Sequence, residues 1–84
     1  LGGDPVRLAT QLAAIVNGTV QTDKQKEDAL RVVQELSYGH EDFARALVKQ
    51  SNAKFLFRLL REGNERLQTL ACKSLQNVSW WKSH

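Results

Sequence analysis

The residues best suited to do chemistry form a stripe near the end of the chain: Arg66, Thr69, Lys73 and Asn77. Their spacing of three and four residues puts them on one face of a helix. Ala71, Leu75 and Val78 supply an inward face, so the stripe is expected to face outward. An amide such as that of Asn77 offers one acceptor and two donors. It is therefore a candidate for hydrogen bonding to a partner. The bland alternative is that Asn77 caps its helix or faces water. A second polar stripe, Glu27, Arg31 and Glu35, extends to Tyr38. Together the two stripes carry mixed charge, which suits recognition rather than bond-breaking.

Other candidates read as structural. His40, Glu41 and Asp42 are adjacent, so on a helix they diverge by about 100° per residue and cannot close on one metal ion. Acids there fit the start of a helix. No nucleophile sits on a recognisable turn, and no phosphate-binding glycine loop is present. Neither a metal nor a cofactor is expected, and the chain reads as a non-enzyme. Cys72, the single cysteine, lies beside an apolar seam and is expected to be a buried, inert thiol. Asn17-Gly18-Thr19 and Asn77-Val78-Ser79 are formal glycosylation sequons, the second inside a helix. Lys54, Arg58 and Arg61, with Arg45, could form a basic face, and a solvated helix surface is the simpler reading. No aromatic residue interleaves with them, as single-stranded nucleic acid would need. Trp80 and Trp81 cannot both face one seam. One is expected on the core and the other toward a partner or a second copy of the chain.

These residues need helices to position them. Asp4-Pro5 is an N-cap acid with proline at the first helical position. Leu8, Leu12, Ile15 and Val16 then recur at helical spacing through Asn17, and Gly18 stops the helix. Thr22 or Asp23 caps a second helix that runs to about Tyr38 and ends at Gly39. Glu41 to Lys49 is a short third helix, and Ser51-Asn52 a tight turn. Phe55, Leu56, Leu59 and Leu60 mark a fourth helix. Gly63 is expected to end it in the left-handed conformation, with Asn64 capping a fifth. The reading is five helices and no strand.

The chain repeats itself. A shift of 42 residues lays Ala29, Val33, Leu36 and Ser37 on Ala71, Leu75, Val78 and Ser79, and Tyr38 on Trp80. A shift of 45 lays Gly18 on Gly63. Periods of about 40–47 residues belong to helical arrays.

The stretch from Leu47 to Ser79, LVKQSNAKFLFRLLREGNERLQTLACKSLQNVS, resembles one armadillo repeat. Leu47-Val48 matches the family's apolar pair, and Leu56, Leu59 and Leu60 its second-helix leucines. Gly63-Asn64 matches its turn. Gln68, Ala71, Leu75, Asn77 and Val78 match its third helix. The resemblance implies an all-α, armadillo-like α-solenoid of about two repeats in a right-handed superhelix. Residues 1–39 would be a partial repeat, helices 2 and 3. Residues 40–84 would be a full one, helices 1 to 3. It implies that the third helices line a groove, with Asn77 on the backbone of an extended peptide and Lys73, Arg66, Arg31 and Glu35 around it. Three positions depart from the family. Ser51 replaces the usual glycine between the first two helices. Lys73 stands where some nuclear-import adaptors carry tryptophan, which argues against their kind of signal binding. Glu35 stands where a second groove asparagine would be.

Composition agrees with a small folded domain. A chain of 84 residues buries about 60–65% of its unfolded surface. The net charge of +3 does not demand nucleic acid. No apolar run approaches a membrane span. The start, LGGDP, is not a signal peptide and reads as the stub of a longer chain. The single cysteine fits the reducing cytoplasm or nucleus. The expected function is non-enzymatic binding of a protein or peptide of mixed or acidic character, in a scaffold role. The alternative is an assembly segment of a larger solenoid that self-associates, as a homodimer, through Trp80 and Trp81.

Overall fold

The computed structural model describes residues 4–49 and 53–83. The expected Ser51-Asn52 turn lies outside them, as do Leu1, Gly2, Gly3 and His84. Five helices follow one another: α1 (Pro5–Asn17), α2 (Asp23–Gly39), α3 (Glu41–Lys49), α4 (Lys54–Glu62) and α5 (Glu65–Lys82). No strand occurs among the described residues.

Local chemistry fixes the helix starts. The first four N–H groups of a helix lack partners within it. At α1 the Asp4 carboxylate accepts from the Val6 N–H at 3.0 Å, with Pro5 in the first position. At α2 Thr22, not Asp23, is the cap. Its hydroxyl accepts from the Gln25 N–H at 3.2 Å, and the Gln25 side chain accepts from the Thr22 N–H at 2.9 Å. Asp23 falls in the first turn, where its charge complements the helix dipole. At α5 the Asn64 side chain accepts from the Leu67 N–H at 2.9 Å.

Gly63 corrects an expectation. Its φ of −75° and ψ of 161° are extended, not left-handed. Glycine is required there for space. A Cβ would sit 2.7 Å from the Leu59 carbonyl oxygen and 3.1 Å from the Leu67 Cβ. The turn between α4 and α5 is that tight.

All five helices enter one core. Phe43, Leu30, Leu47, Leu56 and Val33 are its large, fully buried members. The short helix α3 is wedged against α1, α2 and α5. On α5 the seam of Leu67, Ala71 and Val78 is buried, with Leu70 and Leu75 packed partly against it. Ser74 lies within that seam. It is tolerated because its hydroxyl donates to the Leu70 carbonyl at 2.9 Å. Val32, Val48 and Leu60 lie largely outside the core. So does Cys72, which is exposed and not the buried thiol expected. It follows Ala71 by one residue, so it points about 100° away from the buried seam.

The arrangement of α2 and α5 matters most for function. They form the most extensive helix pair. Glu27 meets Arg66, Gln34 meets Asn77 and Ser37 meets Trp81. Both members of these pairs advance along the chain together. The two helices therefore run parallel, about one sequence repeat apart. Parallel neighbours that are not consecutive need an intervening crossover, and α3 with α4 provides it.

Candidate functional site

The seam between α2 and α5 opens onto one surface with a charged end and an aromatic end. At the charged end Glu27 holds two arginines. Its carboxylate accepts from Arg31 at 3.1 Å and lies 3.8 Å from Arg66. The Glu27 side chain is only 17% exposed, whereas Arg66 is 80% exposed. Two cations therefore share one largely covered anion. Asp23, Lys24, Asp28 and Glu65 surround them in a shallow hollow. Two of the expected site residues, Arg31 and Arg66, are thus brought together and are already partly paired. Glu35 and Lys73 are exposed. Neither makes an ion pair or side-chain hydrogen bond among the described residues, so their charges remain available.

Asn77 is placed differently from the outward direction expected for it. It is half-buried, and its amide reaches across to α2. The Asn77 Nδ2 donates to the Gln34 carbonyl at 3.0 Å and to the Ser37 hydroxyl at 3.2 Å. The Ser37 hydroxyl donates in turn to the same Gln34 carbonyl at 3.0 Å. This chain of bonds fixes the amide's orientation. A carbonyl can only accept, and the hydroxyl has spent its one hydrogen. The Asn77 amide nitrogen is therefore turned into the fold, and Oδ1 points the other way. What this residue offers a ligand is chiefly its acceptor.

A stability effect follows. Asn77→Ala removes two hydrogen bonds but leaves the Gln34 carbonyl its bond from Ser37. The expected loss is about 1–2 kcal/mol. A urea-denaturation midpoint equal to that of the parent chain would show that the cross-helix bonds contribute nothing.

Only one of the two tryptophans packs against the core. Trp81 packs partly against the core, and its Nε1 donates to the Ser37 carbonyl at 2.8 Å. Trp80 is 53% exposed. Their rings meet edge to face, with centroids 4.7 Å apart and planes at 89°. That geometry is favoured by the ring quadrupoles. Tyr38, at the end of α2, is 73% exposed. Together with Gly39, Gln76 and Asn77 these three aromatics line an open groove of about 590 Å³.

Sequence reading missed Gln34, Ser37 and Gln76 as parts of this surface. Only the 42-residue shift pointed at Ser37, by pairing it with Ser79. No signal singled out Gln34's backbone carbonyl, since any residue has one.

Elsewhere the chemistry is quiet. On α4 Arg58 donates to Glu62 at 2.8 Å. That hydrogen bond, with the guanidinium charge, holds the Glu62 carboxyl below its ordinary pKa. Arg45 pairs with Glu41 at 2.7 Å. Two of the four cations of the supposed basic face thus carry their own counter-charges. Among the described residues no three His, Cys, Asp or Glu side chains could hold a metal ion together. No described helix is long and apolar enough to cross a membrane. No family model, no curated protein and no solved structure matches the chain.

Proposed function

We propose that the chain is a non-enzymatic protein- or peptide-binding module of armadillo type, with α2 and α5 as the third helices of two successive repeats. The observation that carries this reading is the parallel pairing of α2 and α5 about one repeat apart. A surface built this way presents matching positions of each repeat side by side, which suits a ligand lying across them. Glu35 and Lys73 contribute opposite charges, and Arg31 and Arg66 sit with Glu27, Asp23, Asp28 and Glu65 at an end of mixed charge. The partner is therefore a segment of mixed or acidic character that runs over this face. Asn77 supports the surface mainly from within and adds one acceptor. The setting is the cytoplasm or nucleus.

Selection of displayed random peptides on the intact chain tests this. Peptides that bind are expected to lose at least about tenfold in affinity against a Glu35→Lys, Lys73→Glu double variant, since each charge reversal replaces attraction by repulsion. Both residues are exposed, so melting should change little. Selected peptides that bind the double variant as tightly as the parent would move the binding surface elsewhere.

A further inference from the structure

We infer that the aromatic end of the α2–α5 surface is a site for a polyproline II segment with two prolines three residues apart. The inference rests on the peptide-binding reading above and specifies its ligand. The groove walls are Tyr38 and Trp80, with the Trp81 ring edge-on to Trp80. Not one of its six lining residues carries a charge. The nearest groove-side charges by helical position are Glu35, three residues before Tyr38, and Lys73, three before Gln76, and they are opposite in sign. Charge complementarity therefore puts an uncharged stretch of the segment in the groove, with its charged residues over Glu35 and Lys73.

Spacing selects its conformation. Tyr38 and Trp80 occupy equivalent positions, 42 residues apart, on parallel packed helices. Such helices lie about 8–10 Å apart. A polyproline II helix rises about 3.1 Å per residue with three residues per turn, so positions i and i+3 share a face about 9 Å apart. A segment lying across the two helices would thus set one proline ring on Tyr38 and the next on Trp80. Aromatic-lined grooves recognise this conformation because it is already extended and loses little entropy on binding.

Hydrogen bonding agrees. The residues between two such prolines keep their N–H groups, and a polyproline II backbone makes no internal hydrogen bonds. The Asn77 Oδ1 lines the groove and has no partner among the described residues. It is turned outward because its amide nitrogen is committed to Gln34 and Ser37. The Gln76 amide can donate to a peptide carbonyl.

The test is tryptophan fluorescence of the intact chain, titrated with three capped, uncharged peptides. One carries two prolines three residues apart, one carries them four apart, and one carries alanine at both positions. The first is expected to shift the emission and bind at least about tenfold more tightly than the others, as loss of one ring contact implies. Tyr38→Ala and Trp80→Ala should each weaken it about tenfold. Tyr38→Ala should leave the melting temperature unchanged, which guards against a folding defect at Trp80. Equal binding of all three peptides would overturn the proline inference while leaving a peptide groove intact. So would binding of the first peptide that both variants leave unchanged. No response to any of them up to millimolar concentration overturns the inference. The charge-reversal outcome of the peptide selection then decides separately whether the broader reading stands.

Discussion

Phe43→Ala is expected to remove about 3–5 kcal/mol of the chain's stability, the largest loss of any single change considered. Phe43 is fully buried on α3, the short helix that packs against α1, α2 and α5. Removing a buried phenylalanine ring costs about 3–5 kcal/mol, because lost transfer free energy adds to the cost of a cavity. At roughly 0.05–0.15 kcal/mol per residue, the whole stability of a chain this size is about 4–13 kcal/mol. The loss is therefore comparable to the lower end of the total. The position aggravates it, since α3 packs against α1, α2 and α5 at once. Circular dichroism during a thermal ramp reads the outcome. A midpoint within a few degrees of the parent's would show that α3 is not the keystone described.

Ala71→Leu is expected to cost about 1–3 kcal/mol by overpacking. Ala71 is fully buried at the middle of α5, on the helix that packs against α2, α3 and α4. A branched side chain there must push at least one of these neighbours away. Cys72→Leu, one residue on, is the control. Cys72 is exposed, so the same new side chain should change stability by no more than about 0.5 kcal/mol. Guanidinium denaturation of both variants gives the comparison. Equal midpoints for the two would place the seam of α5 on the wrong face.

Much of the architecture is legible in the sequence, for reasons that are local. Asp4-Pro5, the Thr22–Gln25 box and Asn64 announce helix starts, because unpaired N–H groups need nearby oxygens. Ala29 and Ala71, which the 42-residue shift lays on one another, are both buried. What is not legible depends on which side a neighbour approaches. Asn77 is six residues after Ala71, so it lies roughly 120° round the helix from that seam. Trp81, ten residues after Ala71, lies roughly 80° round on the same side. A single helix cannot tell which flank will meet α2. Here it is the flank of Asn77 and Trp81, so the expected ligand-facing amide is largely turned inward. Lys73, roughly 160° from Ala71, remains outside as expected. Gly63 fails for a similar reason. Glycine signals that something special happens at a turn, but the need for space and the need for a left-handed φ give the same letter.

The central claim is that ligands lie across α2 and α5. Backbone and indole chemical-shift mapping by NMR tests it most directly, using the intact chain and a peptide selected on it. The account predicts that the shifts gather at Arg31, Glu35, Tyr38, Lys73, Gln76 and the Trp80 indole. Shifts gathered instead on α4, around exposed Phe57 and Leu60, would contradict it.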